Sequence, residues 1–286
     1  MLEWVSYYKI IGFDRILVVT NNNSDQTIPL YERIKAKYDW FDFIEHSIDT
    51  DDVSPQKQGY GLVLKWFAEK GFTGYAGVFD ADEFLCIANG LDVKGYVKKH
   101  PDADCISLNW RIFGSSGHTT RPNDLVIASY RHCAEETFRQ HRTLKSIFKV
   151  DGNLKNFNPH FPRYLDRGKR VYVQDDGSRF HIRDKANSRV ISYKGAWVNH
   201  YLTKYKDEFL LKNNRGEGAR NRRESGERNK YNEDYFDRMD RNEVTMEFDA
   251  VLVEKTRRLA EEIYQACDLR QIAEPAYFGL EQPDAR

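Results

Sequence analysis

No apolar run in these 286 residues approaches the roughly 18 that a membrane-spanning helix needs. The opening stretch MLEWVSYYKIIG also lacks the charged-then-apolar layout of an export signal. Both absences predict a cytoplasmic protein, with peripheral attachment at the inner face of a membrane as the other location to weigh. Cysteine is scarce. Cys86, Cys105, Cys133 and Cys267 are widely spaced and form no Cys-x-x-Cys pair, so they are read as reduced thiols rather than a disulfide framework. Net charge is absent as well: 44 basic residues balance 44 acidic ones, leaving no global field to hold nucleic acid, so any anionic partner must be met locally.

What the chain does have is material for a core. It is 40% hydrophobic and 14% aromatic, with 17 Tyr, 17 Phe and 5 Trp, which rules out a disordered tail and suits a single large domain or two small ones. No internal repeat and no low-complexity linker divides it. Leu2 to Tyr8 has apolar positions at helical spacing. The β-branched run Arg15 to Thr20 reads as a buried strand, ended by the turn formers Asn21 to Asp25. A helix over Thr27 to Tyr38, a strand over Phe41 to Ile48 and a helix from a Ser54-Pro55 start to about Lys70 continue the alternation. Tyr75 to Phe79 reads as a third strand that runs into Asp80-Ala81-Asp82-Glu83, so acidic residues fall at a strand's C-terminal end, where open α/β sheets bind ligands.

Further on, Ala103 to Trp110 reads as a strand, Arg111 to His118 as a Gly/Ser-containing loop, and both Leu125 to Ala134 and Asn187 to Tyr201 as extended segments. Lys204 to Asn213 and Asp249 to Cys267 have helical spacing. Between them Arg215 to Lys230 is rich in Arg, Glu, Gly and Asn with almost no apolar residue, which predicts a mobile or ligand-ordered loop, and the last fifteen or so residues read as a loose tail.

Asp80 and Asp82 carry the sharpest chemical signal. Two carboxylates one residue apart after a buried strand can share Mg²⁺ or Mn²⁺, leaving open positions for phosphate oxygens, although a solvated acidic turn reads the same way. Trp110, Phe113 and His118 flank the Gly/Ser loop, where aromatic faces can pack on a ring-shaped ligand, with core packing as the alternative for the two aromatic residues. A base for an acceptor hydroxyl could come from His118, Glu135, Glu136 or His160, and the residues do not choose among them.

Taken in order, several segments resemble nucleotide-sugar glycosyltransferases of the GT-A fold, most closely the branch near families 2 and 92. They are Leu2-Glu3-Trp4, Gly12 to Ile16, Thr20 to Thr27, Gln56 to Gly61, Asp80 to Leu85, Trp110 to Gly117, Lys145-Ser146-Ile147, His160, Asn199-His200-Tyr201 and Glu208 to Gly216. The resemblance implies an α/β fold with a Rossmann-like mixed central sheet, flanking helices and a more irregular C-terminal part. It implies one domain over 1–270, with a nucleotide-sugar half (1–100), an acceptor and metal half (101–216), a flexible loop and C-terminal helix (217–270), and a tail (271–286).

The same resemblance implies that Asp80 and Asp82 bind a divalent cation with the donor diphosphate and that His200 is a further metal ligand. Asn21, Ser24, Asp25, Gln56, Asp80, Lys145, Lys212 and Arg215 would meet the nucleotide sugar, and Trp110, Phe113 and His118 the acceptor sugar. The implied reaction is inverting sugar transfer to a glycan or lipid-linked acceptor, as in bacterial surface polysaccharide synthesis. A non-catalytic nucleotide- or carbohydrate-binding relative and an Asp-x-Asp phosphohydrolase are the competing readings. Related chains place a strand ending in Asn-Glu before the helix at Leu2, and the expectation is that Met1 is a truncated start.

Overall fold

The apolar spacing at the start of the chain is realised as α1 (Leu2–Ile10), followed by β1 (Ile16–Asn21), α2 (Thr27–Lys37) and β2 (Phe41–His46). The structure is a computed structural model that describes residues 1–47, 54–179, 186–215 and 231–280. Next come α3 (Pro55–Glu69), β3 (Gly74–Gly77), β4 (Glu83–Ile87), α4 (Val93–Lys98) and β5 (Cys105–Ile112). The middle of the chain adds α5 (Val126–Ser129), β6 (His132–Cys133), β7 (Leu144–Val150), β8 (Leu154–Phe157), β9 (Pro162–Tyr164), β10 (Tyr172–Gln174) and β11 (Ala196–His200). The C-terminal part contains α6 (Lys206–Arg215), α7 (Glu233–Met239), β12 (Val244–Thr245) and α8 (Ala250–Ala266). The fold is mixed α/β. None of the described helices is long and apolar enough to cross a membrane.

Two compact units are present, and they cut across the halves expected from the sequence: Met1–Pro55 with Phe113–Cys133 and Tyr201–Arg286, and Gln56–Ile112 with Ala134–His200. In the first unit β1 and β2 form a parallel two-stranded ladder from Ile16↔Phe41 to Asn21↔His46. The helix α1 buries Leu2, Val5, Tyr7 and Tyr8, and it packs against α8. Asp249 caps α8 by accepting from the Val251 and Leu252 amides, and the buried Thr256, Ala260, Ile263 and Tyr264 fall on one helical stripe.

Three expectations are corrected in this unit. Leu125 to Ala134 is not one extended segment, because the Glu3 carboxylate accepts from the Val126 and Ile127 amides at 2.9 and 3.0 Å and so caps the short helix α5. Only His132–Cys133 is strand, paired with β12. The Gly/Ser loop is not an open platform either: Asp240 accepts from the Ser115 amide and hydroxyl, Asn242 accepts from the Ser116 amide, and a Cβ on Gly114 would collide with the Arg241 carbonyl. Finally, the chain after Gln271 is packed as far as it is described, with Phe278 and Leu280 buried and the Ala273 carbonyl accepting from Tyr264 Oη. The segment 216–230, expected to be a mobile loop, lies outside the described residues, as do 281–286.

The second unit is built on a six-stranded mixed sheet in the order β3-β7-β5-β11-β4, with β10 beside the first half of β5. β5 runs parallel to β10 and β11 and antiparallel to β7, and it is buried on both faces. Seven of its eight residues, from Cys105 to Ile112, are therefore closed to water, as a central strand requires. Cys105, Phe148, Val150 and Phe157 form a core against which Tyr60, Val63, Leu64 and Phe67 of α3 pack. β4 was not foreseen. It begins at the end of the acidic motif, and its antiparallel partner is β11.

The far edge of this unit is tied by Arg170. Its guanidinium bonds Asp104 at 2.9 Å and Asp151 and Asp166 at 2.8 Å, and it lies 4.1 Å from the centre of the Tyr164 ring. Arg170→Ala should leave three partly buried carboxylates without their shared cation and cost about 3 kcal/mol at neutral pH, read as a shift in the urea midpoint. Arg170 holds the Asp151 carboxyl below its ordinary range, so that stabilisation is present above about pH 4 and is lost as pH falls through the lowered value. The gap between wild type and Arg170→Ala should therefore narrow in acid.

Candidate functional site

The acidic motif occupies the crossing from β3 to β4, which stand at opposite ends of the strand order. The Glu83 amide donates to the Asp80 carbonyl at 3.0 Å, closing a four-residue turn with Ala81 and Asp82 at its tip. With that turn, the chain from Gly77 to Glu83 reaches about 18 Å, whereas four flat interstrand spacings span about 19 Å, so the sheet must curl to bring β4 within reach. One edge of the sheet thereby collects the C-terminal ends of β3, β5 and β11 and the N-terminal ends of β4 and β7.

Lys145, near the start of β7, enters this edge from within. Its ammonium lies 2.9 Å from Asp80 Oδ2 and 2.9 Å from Glu83 Oε2, with 1% of its side chain exposed. Glu83 is fully buried, and its Oε2 also accepts from the Asp80 amide at 2.8 Å. Burial pushes the Glu83 carboxyl up to about 7 against the pull of Lys145. The Lys145 ammonium is held charged, its pKa raised by Asp80 and Glu83 over the opposing effect of burial. Burial likewise raises the Tyr60 hydroxyl, which faces the charges of Asp80, Lys145 and Glu83.

Asp82 meets a different partner. Its Oδ1 lies 3.5 Å from His200 Nε2 at the end of β11, opposite Glu83 in the antiparallel ladder. The His200 ring is buried under Trp110, whose ring centre is 4.3 Å away, and His200 Nδ1 has no hydrogen-bond partner among the described residues. Asp82 Oδ1 and His200 Nε2 suit two adjacent corners of a divalent cation's coordination sphere, which are about 3 Å apart in an octahedron. No group of three His, Cys, Asp or Glu side chains fit to hold a metal occurs among the described residues. Asp80, Asp82 and His200 are therefore not gathered as the three-ligand metal site expected from the sequence: Asp80 is held by Lys145, and Asp82 and His200 are the pair of donors that face each other.

The other residues singled out by sequence divide between the two units. Lys145 is not an open cation awaiting a diphosphate, because two carboxylates enclose it. Phe113 is not an acceptor platform: it is 1% exposed and packs tilted against Tyr201, with ring centres 4.6 Å apart. His118 Nε2 is bonded to the Ser129 carbonyl, and its ring meets the edge of Tyr130. Asn21 is exposed at the end of β1, Ser24 is exposed beside it, and Asp25 accepts from the Thr27 amide at the start of α2. Lys212 donates to the Leu202 carbonyl, and Arg215 ends α6. Apart from Lys145, these residues belong to the first unit.

Gln56, in the first turn of α3, and the remaining base candidates belong to the second. His160 Nδ1 lies 2.6 Å from the Leu144 carbonyl oxygen, so Nδ1 carries the proton and Nε2 keeps its lone pair, and burial depresses the ring's pKa. Glu135 is exposed, and Glu136 is 77% exposed and 3.7 Å from Arg111. Sequence reasoning does not single out Glu83. Its only trace was a lysine at an otherwise apolar position of Leu144–Val150, a charge that needs a buried counter-ion.

Lys145→Met should strand Glu83 in the interior and destabilise the protein by about 3–5 kcal/mol in denaturant titrations, whereas Lys145→Met with Glu83→Gln should recover part of that loss. The Glu83 pKa is raised from 4.5, so the stability that its neutral form contributes is complete below about pH 4.5 and is lost as pH rises through about 7. Glu83→Gln should flatten the stability profile over that interval.

No family model matches the chain. Over 219 residues it is 25% identical to a glycosyltransferase family 92 protein from Ricinus communis, an alignment that covers 72% of this chain and 38% of that relative. The chain thus spans less than half the length of the curated protein it matches, and the similarity supports a distant relation to glycosyltransferase family 92.

Proposed function

We propose that the chain is a GT-A glycosyltransferase that moves a sugar from a nucleotide-sugar donor to a glycan or lipid-linked acceptor with inversion, as in bacterial surface polysaccharide synthesis. The observation that carries this reading is the pairing of Asp82 with His200 on the edge of the mixed sheet that also holds Asp80. Strand ends from three parts of the chain converge there, which is where open α/β sheets place ligands. The distant similarity to a family 92 glycosyltransferase points to the same chemistry.

In this reading Asp82 and His200 hold Mn²⁺ or Mg²⁺, with imidazole favouring Mn²⁺. The bound cation supplies charge neutralisation for the departing diphosphate. Asp80, half exposed and fixed through Lys145, is rigid enough to orient donor hydroxyls. Trp110 braces the His200 ring, and the unprotonated Nε2 of His160 is suited to accept the acceptor's proton. The reaction is then a single in-line displacement, in which the acceptor oxygen bonds to the anomeric carbon as the bond to the diphosphate breaks.

A second reading draws on the same geometry: no group of three metal-ligating side chains occurs among the described residues. A protein that binds nucleotide sugars without transferring them would need no such group. Thermal shift titrations with nucleoside diphosphates, with and without Mn²⁺, separate ligand recognition from its absence. A diphosphate present at about a hundredfold its Kd should raise Tm by on the order of 5 °C, and only with Mn²⁺. Asp82→Ala and His200→Ala should abolish the Mn²⁺ requirement together with the shift. No shift with any diphosphate would remove the nucleotide-sugar reading, and a shift without transfer or donor hydrolysis would select the second one.

A further inference from the structure

A cleft of the second unit has a volume of about 1290 Å³, and none of Asp80, Asp82 and His200 lines it. Its walls come from the segments around Glu136, Arg142, Asp176 and Tyr193. A cavity of this size exceeds the roughly 300–1,000 Å³ that encloses one small ligand, and so suits a chain of several rings.

The lining carries four cations, Arg142, Arg179, Arg189 and Lys194, against two anions, Asp176 and Glu136. Asp176 is matched by Lys194 at 3.0 Å, and Glu136 lies 3.7 Å from the buried Arg111. Arg142 and Arg179 remain, and neither makes an ion pair among the described residues; Arg189 adds a third guanidinium to the lining. Planar guanidinium groups bind carboxylates through two parallel hydrogen bonds. The aromatic wall is rigid: the Tyr193 ring stacks on the Arg111 guanidinium at 3.9 Å, and its hydroxyl donates to the Trp110 carbonyl at 2.8 Å. The floor is also fixed, since Asn109 Oδ1 accepts from the Gln174 side chain and the Ser192 amide. Through Tyr193, Trp110 and the His200 ring, this wall leads to Asp82 within the same unit.

We propose that this cleft binds a carboxylate-bearing saccharide chain, with Arg142 and Arg179 holding its carboxylates and Tyr193 packing on a sugar face. As the acceptor subsite of a transferase, the cleft rests on the function proposed above. As a binding site, it can be tested alone. The chemistry favours an acidic glycan over a neutral one because two cations with no ion pair among the described residues gain most from charged oxygens.

The test uses the full chain and isothermal titration calorimetry with oligogalacturonate, a neutral galacto-oligosaccharide of equal length, and uridine diphosphate with Mn²⁺. Oligogalacturonate should bind more tightly than the neutral chain, and its affinity should fall with added salt. Arg142→Gln with Arg179→Gln should weaken it at least tenfold while leaving uridine diphosphate affinity unchanged. Asp82→Ala should do the reverse. Equal affinity for the acidic and neutral chains, or an acidic affinity indifferent to both arginines, would overturn the proposal. A loss of uridine diphosphate binding in the arginine variant would also overturn it, by assigning the cleft to the donor. Failure of the wild type to bind any nucleoside diphosphate would instead sink the transferase reading, with the acidic-saccharide result standing on its own measurement.

Discussion

The Lys145 ammonium, enclosed by the carboxylates of Asp80 and Glu83, is the constraint on which the geometry of the site depends. A charged amine with 1% exposure is tolerated only because the Asp80 and Glu83 carboxyl oxygens both meet it at 2.9 Å. One carboxyl group stands in the turn that follows β3 and the other begins β4, while the lysine belongs to β7. The ion triad therefore fastens the crossing segment 78–82 to the interior of the sheet. With Asp80 held on one side and Glu83 on the other, Asp82 is left at the tip of a turn that cannot swing freely, and it faces His200. Buried charges of this kind add little net stability, but each partner becomes costly to remove.

The curl of the sheet follows from the same turn. A segment of five residues joins strands at opposite ends of the order, and the Glu83↔His200 register places the end of β11 beside the start of β4. Trp110 then covers the imidazole that Asp82 approaches, and the Trp110 carbonyl anchors Tyr193 on the wall of the cationic cleft. A metal-capable pair and a cleft with an excess of guanidinium groups are thus supported by neighbouring residues of one strand, β5. This strand, buried on both faces, is the least able to shift in response to either site.

Several local readings agree with the structure because they rest on short-range physics. Asp249 is a cap, and the stripe on α8 is a helical face. The alternation from α1 to β3 and the position of Asp80 after a strand are correct to within a few residues. The readings that failed involve distant partners. Leu125 to Ala134 looks extended until Glu3, more than 120 residues away, caps it, and the Gly/Ser loop looks open until Asp240 and Asn242 occupy its amides. Phe113 looks like a platform until Tyr201 covers it.

The sequence by itself determined the α/β alternation, the acidic turn at a strand end and the absence of any long apolar run. Each of these is written in the periodicity and turn chemistry of contiguous residues. Only the tertiary structure decided that Lys145 belongs to Asp80 and Glu83 rather than to a ligand, that Asp82 faces His200, and that Arg142 and Arg179 share a cleft. The reason is register. Strand pairing brings together side chains 65 positions apart, as in Asp80 and Lys145, and a slip of one residue would give each of them a new neighbour without changing the local pattern from which the strands are read.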